Sequence, residues 1–346
     1  MSLDLSDGVA ARQGLRFGYF DSYRLELSHK YLLKAAVLTG EIVLTAWQNW
    51  RDLVDIETLD SNSYSLLPQL YQNLLAHGIN DGEMARLKGI YRRCWYANQL
   101  QLKSLQAILS SLKERGIEGI VLGNAAWGGL GKTKIENYRL ISSFHLLINA
   151  DCLELAIEHL ASLNWYRVDG HTQHFTELRN NFDSSLNLPL YLQEHLFWAI
   201  PQDYTDRQVW YYATADWSSE AGWRLSPTDQ FLDGCARMFF RGRSLKSSSP
   251  QIHRIADAFL LIANLENDLD WIRLITQAQR YQMILPLGNM LQLLQQLFSV
   301  ELPTWVWPAL WQMPIANREW VKYRVLDGDR RSMIRSVIVQ FLELLK

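Results

Sequence analysis

IVLGNAAWGGLGKTKIENYRLISSFHLLI, running from Ile120 to Ile148, is the stretch whose reading decides the fold. Two short apolar runs flank a glycine-rich middle. Within it, Ala126, four residues, and then Gly131-Lys132-Thr133 satisfy the loose pattern of a phosphate-binding loop. Such a loop needs a buried strand, a glycine-rich turn and a helix whose N-terminus receives the phosphates. The strand is present, but after Lys132 only Ile135, Tyr138 and Ile141 roughly share a face. Asp151, at the end of FHLLINAD, could hold a magnesium ion, yet it leaves room for one short helix after Thr133. The competing reading is a glycine-rich connection between two strands, with Lys132 and Lys134 in water. It could still touch phosphate through backbone N–H groups and Lys132.

Outward from this stretch the periodicity is mostly helical. Apolar residues at three- and four-residue steps predict helices over Leu25–Val54, broken at Thr39-Gly40-Glu41. A further helix is expected from Ser65 through Pro68 to a stop at Gly78. A long one follows from about Asp81 to Arg115, with Met84, Leu87, Tyr91, Trp95, Leu102, Leu105, Ile108, Leu109 and Leu112 on its apolar face. Strands are predicted at Ile117–Leu122, Phe144–Ile148, Trp165–Val168 and Leu186–Leu192, and a helix at Cys152–Leu163. Pro189 argues for an edge or a bulge in the fourth strand. After Ser226 helices return over 228–240, 250–264, 269–282, 285–298 and 330–345, with Pro303–Pro308 as a loop. The order predicts an α+β fold, mostly helical, with a small mixed sheet framed by helical parts. The expected divisions are a flexible N-terminus over 1–20, a helical region over 21–115, an α/β core over 116–225 and a second helical region over 226–346.

Bulk properties narrow the class. The chain has 346 residues, 48% apolar and 20% charged, which is globular composition. A net charge of -2 provides no global field for nucleic acid or anionic membrane, so nucleic acid is disfavoured as a partner. Three scattered cysteines make neither a disulfide framework nor a metal knuckle, which points to a reducing, cytoplasmic setting. The N-terminal MSLDLSDGVAARQG has no basic start or apolar core, so no secretory signal is expected. No uninterrupted apolar run is long enough to span a membrane.

Several stretches taken in order carry a resemblance. The helix LKGIYRRCWYANQLQLKSLQAILSSLKERGI is followed by EGIVLGNAAW, a gap, and YRLISSFHLLINADCLELAIEHLASLNWYRV. The chain resembles the bacterial nucleotidyltransferase-like family of the polymerase-β superfamily. Members read LLKGAAL, then an arginine, then MGDLDLLV, a helix and LGY. The flanks, from LLKAAVLTGEIVLTAWQNW to GWRLSPTDQFLDGCAR, HRIADAFLLI and LDWIRLITQAQRYQM, are similar to the family's helical parts. The likeness covers most of residues 30–303.

The resemblance implies metal-assisted nucleotidyl transfer, with magnesium and a nucleoside triphosphate as cofactor and substrate. Two carboxylates at i and i+2 on one strand share a side, and a third comes from a neighbouring strand. Together they hold two divalent ions. Here the chain departs from the pattern. Aligning Arg139 with the family arginine puts Ser143 and His145 at the two acid positions. Gly123-Asn124 replaces the Lys-Gly near the phosphates. In YLQEHLFW, Gln193 occupies the third acid position, with Glu194 one step away and His195 beyond it. A one-residue shift would turn Glu194 to the opposite face. No metal site is assigned.

Three functions follow. The first is a repurposed, pseudoenzyme-like member serving as a binding or partner protein in a biosynthetic or peptide-modifying pathway, with a protein or peptide partner. The second is a transferase or other enzyme in the same cleft, with His145, His195, Glu194 and Ser143 as catalytic candidates and Gly123, Asn124, Lys132 and Arg139 as ligand-binding candidates. The third is a phosphate-loop nucleotide-binding protein dependent on Lys132. Other groups take simpler readings. Asp268-Leu269-Asp270 suits a helix cap. His171 and His174 lack further metal ligands. Arg237, Arg241, Arg243 and Lys246 form a basic stretch. Lys88, Arg92 and Arg93 read as solvated charge beside aromatics, Tyr91 and Trp95, in the core. Asp257 is an acid in an apolar helix, with Arg254 as a local partner.

Overall fold

The computed structural model describes residues 25–129, 139–168, 176–180, 188–197, 206–215, 222–241, 251–265, 269–316 and 319. The expected flexible start, Lys132, His171, His174, Arg243, Lys246, Asp268 and the helix over 330–345 lie outside them. The chain divides into two compact units. One comprises 1–64, 231–262 and 267–346; the other comprises 65–230 and 263–266.

In the first unit, α1 (Leu27–Val37) and α2 (Glu41–Arg51) are short helices in contact. Gly40 separates them at φ +82°, a left-handed backbone that glycine adopts without a Cβ penalty. Leu32, Leu33, Val43, Trp47 and Trp50 are buried, and the two indoles stack at 5.6 Å. α3 (Ser61–Ala76) runs from this unit into the other. It begins four residues earlier than the sequence predicts. Asp60 caps it by accepting from the Asn62 and Ser63 backbone N–H groups, which fixes the start ahead of Pro68.

The second unit holds the sheet. α4 (Met84–Glu114) leads to β1 (Gly119–Leu122) and a 3-10 turn over Gly123–Gly129. Then come β2 (Phe144–Ile148), α5 (Leu153–Ser162), β3 (Trp165–Arg167), β4 (Thr176–Asn180), β5 (Leu190–Gln193), α6 (Arg207–Tyr212) and β6 (Trp223–Arg224). The six strands lie in the order β3-β4-β5-β2-β1-β6. β1 and β2 are antiparallel, β2 and β5 parallel, β1 and β6 parallel. The fold is α+β, mostly helical, with a mixed sheet.

One face of this sheet makes the core. Val121, Phe144, Leu146, Ile148, Leu178, Leu190 and Leu192 pack with Leu105, Ile108, Leu109 and Leu112 of α4 and Ala156 and Leu160 of α5. The alternation of side chains along β2 and β5 therefore sends the intervening residues, Ser143, His145, Tyr191 and Gln193, to the other face.

Beyond the sheet, α7 (Pro227–Ala236) starts with a reciprocal cap. The Asp229 N–H donates to Ser226 Oγ, which donates to the Asp229 carboxylate, with Pro227 at the first helical position. A π-helical turn follows over Arg237–Arg241. α8 (Ile252–Leu265), α9 (Trp271–Arg280), α10 (Ile284–Phe298) and α11 (Val306–Gln312) complete the described chain. Asp270 caps α9 through the Arg273 N–H, as its sequence context predicts. The Asp257 side chain is buried in α8.

Three further expectations change. β5 is not an edge strand: it lies between β4 and β2, and Pro189 falls just before it. Pro303–Pro308 is not wholly a loop. α11 begins at Val306, with Pro308 in its first turn, where a missing N–H costs nothing. Trp95 is not core. It is 49% exposed on α4, while Leu87, Cys94, Asn98 and Gln101 take the buried stripe.

Candidate functional site

β2 and β5 run in parallel register, with His145 opposite Tyr191 and Leu147 opposite Gln193. Ser143 immediately precedes β2. Its Oγ lies 3.1 Å from His145 Nε2, a hydrogen bond whose donor is set by the ring tautomer. The i, i+2 spacing therefore does bring these two side chains together on one side of the strand. The His145 ring stacks on Tyr191 with centroids 4.7 Å apart and planes 23° from parallel.

The row continues onto β4. Tyr191 lies opposite Glu177 in the antiparallel register, and the phenol hydrogen-bonds that carboxylate. Burial, reinforced by the charge of Glu177 and opposed by Arg179, raises the Tyr191 phenol above its ordinary value. Glu177 also pairs with Arg179, whose Nη2 is 2.7 Å and Nε 2.8 Å from Oε1. Ser143, His145, Tyr191, Glu177 and Arg179 thus form a connected, half-buried polar row across three strands.

The end of β5 carries a second pair. Gln193 is fully buried and donates from Nε2 to the His195 carbonyl at 3.0 Å and the Leu196 carbonyl at 3.5 Å. It holds the turn that follows the strand. Glu194 sits past the strand end and is exposed. His195 Nδ1 lies 3.3 Å from Asp206 Oδ2, which also accepts the Leu196 N–H at 3.0 Å. The Asp206 side chain is 2% exposed and that of His195 43%. The hydrogen bond to Asp206 raises the His195 pKa above its ordinary 6.5, partly offset by burial. With Nδ1 on Asp206, Nε2 is the ring nitrogen left for other partners, the arrangement that lets a buried carboxylate orient an imidazole for proton transfer.

The upstream candidates take structural places. Gly123 has φ +67°, so the lysine of the family pattern would carry left-handed strain at this position. Asn124 Nδ2 donates to the Leu140 carbonyl at 3.2 Å, tying the turn after β1 to the approach to β2. Arg139 is 4% exposed. Its carbonyl accepts from Asn98 Nδ2 at 2.7 Å, while Asn98 Oδ1 accepts the Ile141 N–H at 2.9 Å. Burial pushes the neighbouring Cys94 thiol up to about 11, against the opposing charge of Arg139.

The sequence reading missed Tyr191, Glu177, Arg179 and Asp206. Tyr191 was recoverable from alternation, since it lies two positions before Gln193. The other three become neighbours only through strand pairing and the turn after β5.

The residues at the three acid positions do not suit magnesium. They are a hydroxyl, an imidazole and an amide, engaged with one another or with backbone, where Mg²⁺ takes anionic oxygens. Glu177 is committed to Arg179 and Tyr191. Among the described residues, no group of three or more His, Cys, Asp or Glu side chains is placed to hold a metal ion.

A family model described as "Uncharacterised nucleotidyltransferase" matches residues 49–299. No curated protein matches the chain. The solution structure of the antibiotic-resistance factor ANT(2'')-Ia superposes with a TM-score of 0.38 and 12% identity, covering 53% of this chain and 94% of that one.

Proposed function

The chain belongs to the uncharacterised nucleotidyltransferase family, and we propose that it is a repurposed member without two-metal nucleotidyl transfer. On this reading it is a cytoplasmic binding or partner protein in a biosynthetic or peptide-modifying pathway. The observation that carries the reading is the Ser143–His145 hydrogen bond. The two positions where the family pattern has carboxylates are spent on a hydroxyl–imidazole pair, braced by Tyr191. Transfer of a phosphoryl-bearing group depends on charge neutralisation at the transferring phosphate, and losing the metal-holding anions removes most of it. Gln193 at the third position supports the same conclusion, because its amide is consumed in holding the turn. Free cysteines fit a reducing compartment. Among the described residues, no helix is long and apolar enough to cross a membrane.

Calorimetric titration of the purified chain with ATP, GTP, CTP and UTP, each with and without Mg²⁺, tests the reading. No metal-dependent binding is expected. Magnesium-dependent binding of any of the four would overturn it.

A second reading rests on a separate observation, the buried Asp206 behind His195. It makes His195 an acid–base group for different chemistry in the same unit. Loss of a metal-independent activity in His195→Gln, with the Ser143 and His145 positions intact, would favour it.

A further inference from the structure

The exposed face of α4 is chemically one-sided. From Met84 to Lys113 the helix carries Arg86, Lys88, Arg92, Arg93, Lys103 and Lys113 and no Asp or Glu. Lys88, Arg92, Arg93 and Lys103 are exposed and make no ion pair among the described residues. Between them stand Trp95 at 49%, Tyr96 at 63% and Leu100 at 37% exposure. Each of Lys88, Arg92, Trp95, Tyr96, Gln99, Leu100 and Lys103 lies three or four residues from another of the set, so they share a face. The opposite side buries Leu87, Cys94, Asn98, Gln101 and Leu105. Two aromatic rings and a leucine left in water on a helix that has a well-filled buried stripe need another explanation than core packing. Aromatic residues and arginine at the centre with charge at the rim is the composition of a protein-binding hot spot.

We propose that this face docks an acidic, amphipathic peptide segment of a partner, its apolar residues on Trp95, Tyr96 and Leu100 and its carboxylates toward Lys88, Arg92 and Lys103. This gives a place to the partner in the reading above, but stands on different residues. Two features favour a peptide over a single-stranded nucleic acid. Leu100 extends the aromatic pair with aliphatic surface, which suits a helix seated by anchors at i, i+3 and i+4. A helix exterior is a convex ridge, whereas sequence-tolerant nucleic-acid binding uses a basic groove that follows the backbone.

The test is fluorescence polarisation of the full chain against three labelled probes. These are a short amphipathic helix bearing Glu and Leu, the same peptide with Lys for Glu, and single-stranded oligouridylate. The acidic peptide should bind at least about tenfold tighter than the basic one and weaken as salt rises. Arg92→Glu, Lys103→Glu and Trp95→Ala should each weaken it by about tenfold. Arg115→Glu, an exposed cation past the helix end, should leave it unchanged. The substituted side chains lie outside the buried stripe of α4, so the variants are expected to keep the fold, which circular dichroism checks. Equal binding of both peptides, no binding of the acidic one, or tighter binding of the oligonucleotide overturns the proposal. The nucleotide titration reads the cleft independently, so either result stands without the other.

Discussion

His145 and Tyr191 stack ring on ring at 4.7 Å although they come from different strands, and the parallel register of β2 with β5 is what sets them side by side. The stack holds the imidazole where Ser143 Oγ meets Nε2. The polar pair is thus part of the sheet's packing as well as its chemistry.

Restoring acids at these positions should restore some affinity for divalent metal. Ser143→Asp with His145→Asp puts two carboxylates on one side of β2. Manganese binding, followed by electron paramagnetic resonance, should strengthen by about tenfold or more over the natural chain. Adding Gln193→Asp should cost stability, because its amide holds the turn after β5. Unchanged manganese affinity in the double variant would count against the alignment of these positions with the acid pair.

The Asp206–His195 contact predicts a particular dependence on pH. The folded pKa of His195 is raised above 6.5, chiefly by the hydrogen bond to Asp206. A raised folded value means that protonated His195 stabilises the fold. The contribution is fully present below the unfolded value and is lost as pH rises through the raised folded value. Asp206→Asn should therefore lower stability more at about pH 5.5 than at about pH 9. Proton NMR should show the His195 titration moving down in the variant. An unmoved titration would break the link.

Asn98 should be among the most sensitive polar residues in the sheet unit. Its amide bonds Arg139 and Ile141 at once, and all of these groups are buried. Asn98→Leu strands a buried carbonyl and a buried N–H, so a loss of roughly 2–5 kcal/mol is expected in urea denaturation. A loss well under 1 kcal/mol would mean that solvent or another side chain takes over both bonds.

Asp233 and Arg237 form a buried i, i+4 pair at 2.6 Å, with side chains 7% and 6% exposed. Asp233→Ala leaves a buried cation without its counter-charge and should destabilise by about 3–5 kcal/mol. Replacing both, as Asp233→Leu with Arg237→Met, should recover most of that loss. Thermal denaturation of the two variants together with Arg237→Met alone separates the terms.

The sequence made long elements legible because periodicity is strongest there. α4, α10 and β2 appear where apolar spacing places them. β4 was missed because TELRN has one large apolar residue, Leu178, and becomes a strand only by pairing with β3 and β5. Trp95 was misassigned because an aromatic residue near an apolar stripe looks buried until a filled stripe is seen beside it. Of the site, Ser143 and His145 could be read from the stretch after Arg139, and Gln193 from YLQEHLFW. Asp206 could not, since nothing local marks a carboxylate that reaches eleven residues back to His195.

The approach to β2 is pinned at two places in the sheet unit. Asn124 ties to Leu140, and Asn98 grips the chain at Arg139 and Ile141. These amide anchors fix where the chain enters β2, and so help set its registry against β1. Two asparagines thus act as a clasp, aligning β2 through backbone bonds that do not depend on which side chains the strand presents.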